Sequence, residues 1–422
     1  MTSPPEVEKN AGLELYITES HPCGAKLRST DEDFHVEEVL KKVGVSLDEF
    51  PGSFALYRVE KRSIDTLHLA RQVATVLRSR VSYAGIKDKR AVAVQFLSPT
   101  SSRNSAPRSI EGQGFKCELV GYMRRPLSPN MVAGNSFRLL LRDCCPEIGD
   151  SIASTLNACE EGRVPNFYGL QRFGTRDSRT YRIGKALVKA DFREAVKLLL
   201  LEPRVWDDDA AKNARELMSA GRFDEGLRLL PRGQDVERMA ARSLSKRPGD
   251  YLGAIRSVPI ALRRLYVQAL QSYLFNRTVS QGLREGLDIS KAVEGDNWGE
   301  VSTDGLSLRK VHGVREPMVG IPVPLVQIVG YAYRNYGSRF DRCADDVLRA
   351  EGVSAKEFYV KEMQEVSAEG GFRRAHLTVR GASWGVSGDT AELRFTLPRG
   401  EYATVLLREV VKPPDPSGAG FD

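Results

Sequence analysis

Hydrophobic and polar positions change their rhythm twice along the chain. Before residue 150, strand and helix signals are mixed. Phe54–Lys61 and Ala91–Leu97 read as strands. Between them, Asp65 is placed to cap a helix on which Leu67, Ala70, Val73 and Leu77 recur at helical spacing, with Arg71 and Arg78 on a shared face. From 185 to 285 the period is helical. Asp191 with Glu194 opens a run over Phe192–Leu201 in the manner of a capping box. Ala210–Ala220 stops at Gly221, and Pro259 precedes a longer pattern with Leu262, Leu265, Tyr266, Ala269 and Tyr273 on one face. After Arg373 the pattern predicts strands over His376–Val379, Ala391–Leu397 and Tyr402–Val411. Residues 1–12, 98–114 and 412–422 read as loose. Mixed, helical, then β is the order expected of a discontinuous α+β domain with an insertion in its middle.

Composition narrows the class. At about 150 residues per domain, 422 residues make two or three domains. The chain is 41% hydrophobic and 28% charged, enough for a real core. No apolar run approaches the roughly 18 residues of a spanning helix, and the first residues lack a signal-peptide pattern, so a cytoplasmic protein is expected. Sixty-two Lys and Arg against 55 Asp and Glu leave a charge of +7, which favours a polyanionic partner. None of the six cysteines forms C-x-x-C; reduced thiols and no metal site are expected.

Two motif matches fail on context. Gly381-Ala-Ser-Trp-Gly385 has the G-x-S-x-G pattern, but a glycine-rich turn follows it and no His lies beyond His376. His35-Val-Glu37 lacks the P-C-x-x-C half of a zinc deaminase site and fits an ordinary strand. A phosphate-cradling glycine loop is also missing.

Two segments hold usable chemistry. In Tyr83-Ala-Gly-Ile-Lys-Asp-Lys-Arg-Ala91, Asp88 sits in a turn among cations. An aspartate in water is already ionised at neutral pH and needs no base to act as a nucleophile, but the same residues also suit a plain surface turn. Pro165-Asn-Phe-Tyr-Gly-Leu-Gln-Arg-Phe-Gly174 combines aromatics, amides and an Arg. It can stack and read an unpaired base, or it can be a strand and turn with buried rings.

Together these segments resemble the TruD family of tRNA pseudouridine synthases. Asp31-Glu-Asp-Phe-His-Val-Glu-Glu38 is similar to the family's P-E-D-F-x-V-x-E, and the A-G-x-K-D-K run surrounds Asp88. Asn166–Gly174 resembles N-Y-F-G-x-Q-R-F-G, Ala269–Asn276 resembles A-x-Q-S-Y-x-F-N, and Phe395–Glu409 supplies a further motif. The likeness spans residues 24 to 410. It implies an α+β pseudouridine synthase catalytic domain, an antiparallel mixed sheet with flanking helices, over 1–175 and 376–422. A helix-rich insertion would occupy 176–375. It implies that uridine in tRNA is isomerised, with uridine 13 of the D arm the usual target, and that no cofactor is required. Asp88 falls on the catalytic aspartate. Phe34, Asn166, Tyr168 and Tyr402 fall on residues lining the site, and Arg28 falls where the family often has a Lys that pairs with the aspartate. Lys87, Lys89, Arg90, Arg124 and Arg125 are candidates for RNA phosphates. Asp31 replaces the usual Pro, and Phe167-Tyr168 inverts the usual Tyr-Phe order. The alternatives are an inactive RNA-binding protein of the same fold and a basic hydrolase, the latter lacking any acceptable triad.

Overall fold

The computed structural model describes residues 3–41, 44–88, 90–102, 106–174, 177–302, 305–306, 308–312 and 322–421. Strands β1 (Lys26–Leu27), β2 (Phe34–Leu40), β3 (Phe54–Arg62), β4 (Val81–Tyr83), β5 (Val92–Pro99), β6 (Ser109–Gly112), β7 (Phe115–Met123) and β8 (Val132–Arg142) come first, with helices α1 (Glu6–Lys9) and α2 (Thr66–Leu77). Helices α3 (Ile148–Glu160), α4 (Arg179–Val188), α5 (Phe192–Val196), α6 (Asp209–Ser219), α7 (Phe223–Leu229), α8 (Asp235–Lys246), α9 (Tyr251–Ser257) and α10 (Ile260–Arg284) follow. Then come β9 (Trp298–Val301), β10 (Leu308–His312), β11 (Val323–Ile328), α11 (Arg339–Glu351), β12 (Gly371–Arg374), β13 (Arg380–Ser387), β14 (Thr390–Pro398) and α12 (Ala403–Val411).

Ten strands among the described residues form the main sheet, in the order β13-β14-β8-β2-β5-β3-β7-β6, with β1 on β8 and β4 on β5. Among the described residues, only β2 and β5 pair in parallel. The sheet is built entirely from residues 26–142 and 380–398. Among the described residues between them, the regular elements are helices apart from the small antiparallel sheet β10-β9-β11-β12.

Alternation sets which face turns inward. Phe34 and Val36 on β2, Phe137, Leu139 and Leu141 on β8, and Leu393, Phe395 and Leu397 on β14 are buried. The rings of Phe34, Phe137 and Phe395 form a row, with centroids 6.1 and 5.4 Å apart. On the other wing, Leu69 and Val73 of α2 pack against Tyr57, Val59, Leu97 and Cys117. The Asp65 side chain caps α2 by accepting from the His68 amide.

Helix α10 holds the helical part to the sheet. Residues 269–276 are buried on every side, so the one-sided stripe read from the sequence is too narrow. Its buried amides are all engaged: Gln271 donates to Val329 O (2.7 Å), and Asn276 donates to Ala11 O (3.0 Å) and Tyr168 O (3.1 Å). Helix α4 crosses α10 at Gly184, where an added Cβ would lie 2.0 Å from Tyr266 O.

Several expectations need correction. Tyr402–Val411 is not a strand: Ala403–Val411 is α12, completely buried. Both edges of β14 are taken by β13 and β8, and a buried segment without a free edge satisfies its own backbone only as a helix. His376–Val379 makes only an isolated bridge, His376 to Pro165. The segments at both ends are not loose. Glu8 is buried against Arg408 (2.8 Å), and Lys412 and Phe421 are buried. The 98–114 stretch contains β6. Leu67 is exposed while Leu69 takes its place in the core, and Arg78 terminates α2 in a left-handed conformation (φ 46°), off the helical face of Arg71. The rejected Gly381–Gly385 motif lies within exposed strand β13, and His35 lies in β2.

In the helical part, the side chains of Arg215 and Asp207 are both fully buried, paired at 2.6 Å. Removing one member strands the other charge away from water. Asp207→Ala should therefore lower the unfolding free energy by about 3–5 kcal/mol. Asp209→Ala, at a fully exposed neighbour, should leave the denaturation midpoint unchanged. Equal midpoints for the two variants would refute this.

Candidate active site

The loop between β4 and β5 carries Asp88, and four elements hold it. Arg28 Nη2 donates to Asp88 Oδ2 at 2.7 Å; Arg28 is 6% exposed and the Asp88 side chain 50%. The guanidinium lies 4.1 Å over the Phe34 ring and donates through Nη1 to Gly420 O (3.1 Å). Arg28 sits at φ 60°, and its own carbonyl accepts from Arg90 Nη2 (3.1 Å). The Lys87 amide donates to Thr66 Oγ1 (3.0 Å) at the start of α2. The Lys87 ammonium turns inward, to Glu38 (3.1 Å) and Asn135 Oδ1 (2.6 Å). Below the loop, fully buried Lys61 donates to Asp88 O (2.6 Å) and Ile64 O (2.9 Å). Burial pushes this lysine down to about 8, against the pull of Asp88.

A second group forms where the helical part meets β14 and α12. Asn166 is buried; its amide donates to Ala375 O (2.9 Å) and its Nδ2 to Arg374 O (3.3 Å). Asn276 clamps the Tyr168 backbone, accepting from the Tyr168 amide at 2.8 Å. The Tyr168 ring meets Phe275 and Tyr402 edge-on at 5.5 and 6.0 Å. Arg373 lies 4.1 Å over that ring and donates to Asn166 O (2.9 Å), Asn166 Oδ1 (2.5 Å) and Gly400 O (2.7 Å). Burial raises the Tyr168 hydroxyl pKa, against the nearby Arg373 charge, so this phenol stays protonated. Asn166, Tyr168, Arg373, Arg399, Lys41 and Glu401 help line a cavity of about 240 Å³. The two groups share β8: Asn135 holds Lys87, and Ala133 lines the cavity.

The residues singled out from the sequence thus fall into two sets, Arg28–Phe34–Asp88 and Asn166–Tyr168–Tyr402. Phe34 has Arg28 on its face, whereas Tyr168 and Tyr402 stand together near the cavity. Phe167 and Phe173 are core rings, as the buried reading of that segment expects, although the segment forms a 3-10 turn at Leu170–Arg172 and no strand. Among the phosphate candidates, Lys87 is committed to Glu38 and Arg90 is exposed. Arg124 and Arg125 are exposed beside a cavity of about 550 Å³, and Lys89 lies outside the described residues. Sequence reasoning missed Lys61, Arg373 and Glu401. Lys61 had a signal: it continues the inward series Tyr57, Val59 on a strand. Arg373 and Glu401 had none, because their partners lie across the fold. Among the described residues, no group of three or more His, Cys, Asp or Glu is placed to hold a metal ion, and no helix is long and apolar enough to cross a membrane.

Comparison with known proteins agrees over the whole chain. A family profile described as tRNA pseudouridine synthase D (TruD) matches residues 10–410. A Pyrobaculum arsenaticum relative assigned as tRNA pseudouridine synthase D is 36% identical, with all of both chains covered. One from Archaeoglobus fulgidus is 31% identical, over 96% of this chain and 99% of the relative. A crystal structure assigned as tRNA pseudouridine synthase D from Methanosarcina mazei superposes with a TM-score of 0.78 at 30% identity, covering 98% of this chain and 99% of that one. Fold and relatives define an α+β isomerase that modifies RNA, a pseudouridine synthase. Within that class, the chain belongs to the TruD family of tRNA pseudouridine synthases.

Glu401 provides a test of the site's packing. One carboxylate oxygen accepts from the Thr378 amide (2.8 Å); the other is buried with no partner among the described residues. Burial raises the acid to about 7, against the Thr378 amide, Arg374 and Arg373. The folded state therefore keeps a proton that the unfolded chain releases near the ordinary glutamate value. The resulting stability is complete below that value and is lost as pH rises through about 7. Thermal melts from pH 4.5 to 8 should show a decline that Glu401→Gln flattens; a parallel decline in the variant would contradict the assignment.

Proposed function

We propose that this enzyme isomerises a uridine of tRNA, uridine 13 of the D arm being the expected target, with Asp88 as its nucleophile. The observation that carries the reading is the half-exposed Asp88 carboxylate, bound to a buried arginine and set in a loop held from four sides. The C1′–N1 bond breaks, the uracil turns and C5 bonds to C1′; C5 loses its proton and N1 gains one. Asp88 serves either by adding to C1′ or by first taking the C2′ proton, and both routes begin from the ionised carboxylate. Reaching a base within folded tRNA requires flipping it out, at a cost of a few kcal/mol. Stacking on an aromatic ring returns about 1–3 kcal/mol per base; of the candidates Phe34, Tyr168 and Tyr402, the partly exposed Tyr402 ring is best suited to it, because Arg28 lies over Phe34 and Arg373 over Tyr168. Asn166 is assigned to the surroundings of the base edge. Exposed Arg90, Arg124 and Arg125 are assigned to phosphates. The division into a catalytic domain, 1–175 and 376–422, and an insertion, 176–375, is supported by the main sheet drawing no strand from the described residues of the insertion. A cytoplasmic location follows from the substrate class.

With tRNA tritiated at uracil C5, the wild type should release tritium, whereas Asp88→Asn should bind tRNA and release none. Wild-type turnover by that variant would remove Asp88 from the chemistry. Tyr402→Ala should slow single-turnover release by roughly 5- to 150-fold, the equivalent of one stacking contact. Unchanged kinetics would exclude Tyr402 from the base pocket.

A further inference from the structure

Lys61 is a costly residue where it stands. Its strand neighbours on the inward face are Tyr57 and Val59, fully buried, and an apolar side chain would fill the same space without desolvating a charge. The ammonium instead spans two main-chain carbonyls far apart in sequence: Ile64 O, just before the Asp65 cap of α2, and Asp88 O in the catalytic loop. The neighbouring amide in that loop, Lys87 N, is bound to Thr66 on the same α2 terminus (3.0 Å). The β3–α2 junction therefore grips the loop on both sides of the peptide that carries the aspartate.

An aspartate's carboxylate is aimed by two things, the position of its backbone and the rotation of its short side chain. Arg28 holds the carboxylate at 2.7 Å and Lys61 holds the residue's own carbonyl at 2.6 Å. With both ends tied, the direction of the second carboxylate oxygen is set before substrate arrives. We propose that Lys61 is the positioning residue for the Asp88 carboxylate, acting through the Asp88 main-chain carbonyl and through its positive charge. The inference rests on the assignment of Asp88 as nucleophile.

The charged groups facing Lys61 are Asp88, Asp65 and Asp31, which favour the ammonium, and Lys87, which opposes it. Burial outweighs them and brings Lys61 to about 8, so the charge beside Asp88 is present at neutral pH and lost above that value.

Single-turnover tritium release from C5-labelled tRNA at saturating enzyme, from pH 6.5 to 9, tests this on Lys61→Met, Lys61→Arg and Asp88→Asn, with tRNA binding measured alongside. Lys61→Met should be about 100-fold slower, the scale expected for a reacting group displaced by an ångström, with its tRNA affinity unchanged. Lys61→Arg, keeping donors and charge, should recover much of that loss. It should also lack the decline that the wild type shows above pH 8. A wild-type rate for Lys61→Met, or a loss of affinity that matches its loss of rate, overturns the proposal. If Lys61→Met does not fold, Lys61→Arg decides: a flat alkaline limb supports the proposal and a wild-type limb overturns it. Activity in Asp88→Asn would instead refute the nucleophile assignment, which the lysine variants do not test.

Discussion

A guanidinium removed from water must be compensated where it lies, and this governs the side of the molecule that carries Asp88. Arg28 is buried on the Phe34 ring, in a left-handed conformation that turns it from the end of β1 toward the loop. The Asp88 carboxylate, the Gly420 carbonyl and the ring's electron-rich face share the compensation. The carboxylate is thereby held beside the sheet while half of it remains open to solvent. The C-terminal segment, through Gly420, is structurally part of the site.

The same logic of buried polar groups joins the helical part to the sheet. Asn276 on α10 binds both backbone groups of Tyr168, and Arg373 links Asn166, Phe167 and Gly400 while covering the Tyr168 ring. A side chain that satisfies several carbonyls at once fixes their relative positions more tightly than apolar contact does. The aromatic rings of Tyr168 and Tyr402 are thus placed beside the cavity by polar residues.

The local signals in the sequence were sound where one face of an element met the core. The caps at Asp65 and Asp191 were readable, and β3, β5 and β14 were placed to within one or two residues at their ends, because each depends on neighbours a few residues away. Tyr402–Val411 was misread because a segment buried all round has no periodicity to separate helix from strand.

Contiguous motifs and alternation along single elements were enough for the class of fold and the family, and they singled out Asp88 as the candidate nucleophile. Only the tertiary structure decided that Arg28 covers Phe34, that Lys87 turns inward to Glu38, and that Lys61, Arg373 and Glu401 surround the site. Those roles arise from contacts between residues up to several hundred positions apart. Charge and hydrogen bonding act over a few ångströms of space, and sequence distance carries no record of them.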